Sequence, residues 1–198
     1  MPGVSIDEGI MKVIALLGSP RRNGNTDIMA EEVLLGCREA GAETDVIAVD
    51  NYLVRPIAEV GDKSSERDDP RSDDDFPSLL EKFLSANIVI WSTPVYWAGL
   101  SGQLKCFLDR MSSYFNREPY KTRFIGKGHI ILCAYGRNEA VHGEFVTEPM
   151  KLVVDVLHGE YLGDVCSPST YPKGSVKNKT EILKACYELG IKAVKRKC

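Results

Sequence analysis

Five short apolar runs, each separated from the next by a stretch with helical spacing, govern what this sequence can fold into. A run that is apolar at nearly every position reads as a strand covered on both faces. Such strands interleaved with helices predict an α/β fold, a parallel sheet with helices on both sides. The predicted strands are Lys12–Leu17 (KVIALL), Thr44–Val49 (TDVIAV), Asn87–Ser92 (NIVIWS), His129–Tyr135 (HIILCAY) and Tyr161–Cys166. Five helices are expected between and after them, over 26–40, 76–86, 101–114, 143–157 and 178–195. Ile28, Val33, Leu34 and Cys37 share one side of the first, and Leu104, Phe107, Leu108 and Met111 one face of the third. Gly41 stops the first helix, and the basic residues Lys192, Lys195, Arg196 and Lys197 suit the negative pole of the last. This count fits a three-layer, doubly wound sheet in the order 2-1-3-4-5. Right-handed crossovers then leave a crevice beyond the carboxyl ends of strands one and three, where the winding reverses.

Two loops must meet at that crevice, and they are the most unusual in the chain. Gly18-Ser-Pro-Arg-Arg-Asn-Gly-Asn-Thr26 leaves a buried strand and opens a helix. Unpaired amides at a helix start favour an anion. Ser19, Asn25 and Thr26 can add hydroxyl and amide donors, and Arg21 or Arg22 a guanidinium fork for phosphate oxygens. An NTPase loop would need four residues between its glycines and then a lysine. Here five residues separate Gly18 from Gly24, and Asn25 stands in the lysine's place. The dinucleotide pattern G-x-G-x-x-G is absent too. A terminal monophosphate fits better, the alternative being an ordinary capping turn built on Asn25 or Thr26. The second loop, Thr93-Pro-Val-Tyr-Trp-Ala-Gly99, sets a proline and two aromatics at the end of the third strand. Tyr96 and Trp97 offer faces to a planar heteroaromatic ring, or else fill core between loop and helix.

A chain of 198 residues suits one domain, read here as 12–198 behind an N-terminal extension, 1–11. The stretch 51–75 is an insertion whose portion 61–75 (GDKSSERDDPRSDDD) holds no large apolar residue and reads as a solvated loop. With 25 basic and 28 acidic residues there is no basic footprint for nucleic acid or anionic lipid. No run is long and apolar enough for a bilayer, and the first eleven residues lack a secretory pattern, so a cytoplasmic protein with no membrane or nucleic-acid partner is expected. Cys37, Cys106, Cys133, Cys166, Cys186 and Cys198 occur without C-x-x-C spacing, so no metal site is expected. Most read as small buried apolar residues, with Cys198 an exposed thiol. His129, His142 and His158 are isolated, and only His142 lies near the loop after strand four.

The two loops together, with Gln103-Leu-Lys-Cys-Phe-Leu-Asp-Arg110 after the second, resemble the flavodoxin-like NAD(P)H-dependent FMN reductases, and especially their iron-sulfur flavoprotein branch. The resemblance runs over about residues 12–195. It implies FMN as cofactor and NAD(P)H as co-substrate. Ser19, Arg21, Asn25 and Thr26 would hold the FMN phosphate, with Arg22 the alternative or additional cation. Pro94, Val95, Tyr96 and Trp97 would line the isoalloxazine, and Tyr135 and Gly136 would close one side of it. It also implies a homodimer or homotetramer. The iron-sulfur branch carries a compact cysteine cluster after the second strand, whereas 52–71 holds no cysteine here, so no iron-sulfur cluster is expected. The function so implied is reduction of a small electron acceptor, a quinone or flavin, by hydride transfer through bound FMN. No residue is assigned as catalytic, because the flavin carries that chemistry. An electron-transfer flavodoxin without a nicotinamide site and a non-catalytic domain of the same fold are the alternatives. Asp109 and Arg110 match the family helix and can equally form a structural ion pair.

Overall fold

The computed structural model describes residues 10–58 and 73–196. Residues 1–9 of the expected extension 1–11, residues 59–72 of the expected insertion 51–75, and Cys198 lie outside the described residues. The strands are β1 (Lys12–Leu17), β2 (Glu43–Ala48), β3 (Ile88–Pro94), β4 (Gly128–Ala134) and β5 (Glu160–Ser167). All neighbouring pairs are parallel, and the order is β2-β1-β3-β4-β5, as the sequence implied. The helices are α1 (Asn25–Glu39), α2 (Phe76–Ser85), α3 (Gly102–Met111), α4 (Lys121–Phe124), α5 (Val141–Val156) and α6 (Thr180–Lys195). The short α4 was not expected.

Alternation along the central strands splits the core in two. Ile14 and Leu16 of β1, Val89 and Trp91 of β3 and Ile131 and Cys133 of β4 face α2, α3 and α5. Val13, Ala15, Ile88, Ile90, Ile130 and Leu132 face α1 and α6. The central strands are apolar at successive positions because both of these faces are dry. The edge strand β2 buries only Ile47. On the second face α1 and α6 touch backbone to backbone. A Cβ at Gly36 would lie 2.2 Å from the Tyr187 carbonyl oxygen, and one at Gly190 2.1 Å from that of Val33. Only glycine permits this approach, which fixes α1 against the sheet.

The segment read as a solvated loop is corrected at its end. The Asp74 side chain is fully buried, as is that of Arg110, and they pair at 2.6 Å. Arg110 also donates to the Arg55 carbonyl oxygen at 3.2 Å and lies over the Phe76 ring. Desolvation pushes the Asp74 carboxyl up. Hydrogen bonds from Arg110 and from the Arg55 and Phe76 amides outweigh it and hold the group below its ordinary value. Asp109, next to Arg110, instead pairs with Lys105 on the helix surface. The Asp74–Arg110 pair was not legible in the sequence because its partners are 36 positions apart.

His129 is buried in the β4 core, where its Nδ1 accepts from Trp91 Nε1 at 3.1 Å. Burial, and then the positive charges of Lys127 and Arg196, push its pKa down to about 4. The folded chain therefore resists a proton that the unfolded chain accepts near pH 6.5. Stability is expected to fall by up to roughly 3 kcal/mol as the pH drops from about 6.5 towards 4. Urea denaturation across this range checks it, and His129→Asn, which keeps an acceptor for Trp91, should flatten the slope.

Candidate functional site

The carboxyl ends of β1 and β3 are joined where their helices part to opposite faces. The Gly18 amide donates to the Ser92 carbonyl oxygen at 2.8 Å, and Ser92 Oγ donates to that of Thr26 at 2.9 Å. A Cβ at Gly18 would fall 2.5 Å from Leu104 and 2.6 Å from Ser101 Oγ, so glycine lets the loop rest on the start of α3. The loop then folds on itself, with Ser19 Oγ accepting from the Arg21 amide at 3.1 Å and the Gly24 amide donating to the Arg21 carbonyl oxygen at 3.0 Å. Asn23 takes a left-handed φ of 55°, which Asn tolerates better than most residues. Gly24 caps α1 without a side-chain hydrogen bond.

These elements open into a cavity of about 480 Å³, within the roughly 300–1,000 Å³ of small-molecule sites. Ser19, Arg21, Gly24, Asn25 and Thr26 form one end. Pro94, Val95, Tyr96, Ala134, Tyr135 and Gly136 form another side, and Arg137, Thr170, Tyr171 and Lys173 complete the lining. Nine of the eleven residues proposed from sequence are thus brought together. Among the described residues no carboxylate lines the cavity, while Arg21, Arg137 and Lys173 do. One pole offers helix-start amides, hydroxyls and a guanidinium, and the other offers proline and aromatic surface.

Two proposed residues are placed elsewhere. Arg22 lines a separate depression with Leu17, Asp27, Ile28 and Val46, its guanidinium 3.8 Å from the Asp27 carboxylate. Burial pushes the Asp27 carboxyl up, against the opposing pull of Arg22. Arg21 and Arg22 thus leave the loop on opposite sides. Trp97 is fully exposed and lies outside the cavity lining. Tyr96 and Gly99 exchange both backbone hydrogen bonds across a two-residue turn, with Trp97 and Ala98 at φ 48° and 59°. That hairpin geometry turns the indole outward.

Asn25 lines the cavity, but its side chain is already engaged. Its Nδ2 donates to the carbonyl oxygens of Thr170 (3.2 Å) and Pro172 (2.9 Å), and its Oδ1 accepts from the Val176 amide at 3.1 Å. What remains for a ligand there is backbone. The side chain instead clamps the start of α1 to the loop after β5. That loop is also tied to the one after β4, through Thr170 N to the Tyr135 oxygen and Ser169 N to the Arg137 oxygen. Sequence reasoning missed Arg137, Thr170, Tyr171 and Lys173. The signal for the last three was the turn-rich run Ser167-Pro-Ser-Thr-Tyr-Pro-Lys-Gly174 at the carboxyl end of β5. His142 stacks on Tyr135 with ring centroids 6.1 Å apart, beside the cavity rather than in its lining.

The sequence profile of a family described as NADPH-dependent FMN reductase matches residues 11–165. The chain belongs to that family. It is an FMN-dependent oxidoreductase that uses NAD(P)H. It is 27% identical over 183 residues to YwqN of Bacillus subtilis, provisionally named an NAD(P)H-dependent FMN-containing oxidoreductase, with 90% of this chain and 96% of that one covered. It is 37% identical over 100 residues to the iron-sulfur flavoprotein MJ1083 of Methanocaldococcus jannaschii, a match spanning 50% of this chain and 51% of that one. Among solved structures, the NAD(P)H:quinone oxidoreductase of Methanothermobacter marburgensis superposes with a TM-score of 0.70 at 18% identity, covering 92% and 96% of the two chains. At that identity the likeness is one of fold.

The cavity fits FMN by its donor set, an anion pole facing an aromatic pole with no carboxylate to repel a phosphate. Among the described residues no helix is long and apolar enough to cross a membrane, and no three His, Cys, Asp or Glu gather where they could hold a metal. Thr26 is buried at the anion pole, and its hydroxyl makes no hydrogen bond among the described residues. Thr26→Val keeps the shape and removes a donor, so FMN affinity should fall about tenfold, the worth of roughly 1.4 kcal/mol. Flavin fluorescence titration checks this, and an unchanged Kd would remove Thr26 from the phosphate site.

Proposed function

We propose that the chain catalyses NAD(P)H-dependent reduction of a small acceptor, a quinone, a free flavin or a similar molecule, with FMN held in the cavity between the loops after β1, β3, β4 and β5. The observation that carries this reading is the polarity of that cavity, cationic and amide-rich at one end and aromatic at the other. The family membership and the names of YwqN and the quinone oxidoreductase support it. When bound, FMN would supply two-electron transfer between the nicotinamide and the acceptor.

The chain's own residues bind and orient. The first amides of α1, the Ser19 and Thr26 hydroxyls and Arg21 would hold the phosphate by charge-assisted hydrogen bonds. Pro94, Val95 and Tyr96 would support the ring along one side, and Tyr135 and Gly136 along another. Arg137 and Lys173 keep the rest of the cavity positive, which favours an anionic cofactor and co-substrate. Neither Arg22 nor Trp97 has a part in holding FMN in this reading. The enzyme works without an iron-sulfur cluster, in the cytoplasm.

Assembly into a homodimer or homotetramer belongs to the same reading. Val141, Phe145, Leu152 and Val156 recur along α5 with their side chains exposed, beside a groove formed with Leu108, Met111 and Phe115. Such a stripe suits a copy of itself. Sedimentation equilibrium should report more than one chain per particle, and a monomer at micromolar concentration would refute this part.

For activity, NADPH or NADH added without oxygen should bleach the flavin absorbance of the FMN-loaded protein, and a quinone should then restore it. Failure of both nucleotides while dithionite still bleaches the flavin would replace the reductase with an electron carrier.

A further inference from the structure

Two thiols stand side by side on the sheet under the cavity wall. Cys133 on β4 and Cys166 on β5 are direct partners in the parallel register, and their Sγ atoms lie 2.9 Å apart. That is inside the ~3.5–4.0 Å at which even carbon atoms rest without a bond. Cys133 is buried, and Cys166, on the edge strand, is half-buried. The Cys133 thiol donates to Cys166 Sγ, and the Cys166 thiol donates to Asp164 Oδ2 at 3.8 Å. Neighbouring strands run about 4.8 Å apart, which falls within the ~4.4–6.8 Å between α-carbons that a disulfide spans. The backbone therefore already holds the geometry of a cross-link. Two cysteines serving only as small apolar filler would not need this contact.

We propose that Cys133 and Cys166 form a reversible dithiol–disulfide pair that ties the edge strand β5 to β4 beneath the cavity. Exchange with a small-molecule disulfide, oxidised glutathione, supplies the oxidant. Cys166 gives its proton to solvent by way of the Asp164 carboxylate and attacks one glutathione sulfur. The bond from Cys166 Sγ to that sulfur forms, the reagent's S–S bond breaks, and one glutathione thiolate leaves and takes a proton from water. Cys133 then attacks Cys166 Sγ, its own proton passing to the second departing glutathione thiolate. One protein disulfide and two glutathione thiols result, so two electrons leave the protein and enter the reagent. The order follows from the surroundings. The hydrogen bond to Cys166, and then burial, push the Cys133 thiol well up, so the first attack belongs to Cys166. Tyr135, one residue past the end of β4 and two beyond Cys133, packs in the same core cluster and lines the cavity, so the cross-link sits one layer below the site.

The test uses the whole chain in its native state. It is equilibrated with oxidised glutathione at neutral pH, quenched in acid, alkylated with N-ethylmaleimide and digested without reduction. Mass spectrometry should find the Cys133 and Cys166 peptides joined, two hydrogens lighter than their reduced sum, and dithiothreitol should separate them. Cys166→Ser should abolish the joined species and leave Cys133 without glutathione. The proposal is overturned if both cysteines of the native chain emerge alkylated. It is equally overturned if Cys166 stops at a mixed disulfide with glutathione, or if the link runs instead through Cys106 or Cys198. Since the decisive measurement is made on the natural sequence, it stands even if the serine variant does not fold, and it does not depend on FMN binding.

Discussion

The hydrogen bond from the Gly18 amide to the Ser92 carbonyl oxygen marks the place on which the rest of the architecture turns. It joins two parallel strands at the point where their chains must separate, α1 passing to one face of the sheet and α3 to the other. The loops that follow diverge, because the helices they feed lie on opposite sides. A crevice is the geometric remainder. The close contact of Gly18 with Leu104 and Ser101 brings the first loop down onto α3. The glycine crossing of α1 and α6 prevents the other end of α1 from drifting.

Charge is sorted around this frame. The chain as a whole is acidic, with a formal net charge of -3, yet among the described residues the cavity presents three cations and no carboxylate. Three acids on the neighbouring elements are paired with cations of their own. Asp27 faces Arg22 across the loop, Asp74 is sealed against Arg110, and Asp109 is held by Lys105. A buried pair such as Asp74–Arg110 adds little net stability, because desolvation offsets most of the attraction. It does tie the start of α2 to α3.

The sheet order and the strand positions were legible because strands buried on both faces announce themselves by unbroken apolar runs, as in KVIALL and HIILCAY. The two principal loops were legible because both sit where the winding reverses. What escaped was orientation. Nothing in Arg21-Arg22 says which guanidinium faces the crevice, since a loop has no period to read. The outward Trp97 depends on two left-handed residues, Trp97 and Ala98, whose types seldom adopt that conformation. Asn25 looked like a ligand donor, and its amide is spent on carbonyls some 145 positions along the chain. The loop after β5 was overlooked because only its position in the sheet, not its composition, brings Lys173 and Tyr171 to the cavity.

The engagement of Asn25 reaches past local stability. One amide group fastens the start of α1 to the adjoining loop that bears Tyr171 and Lys173, so these two parts of the cavity wall do not relax independently. A group that settles against the start of α1 and shifts Asn25 would shift this loop as well, and by reciprocity a group that presses on the loop would shift the start of α1.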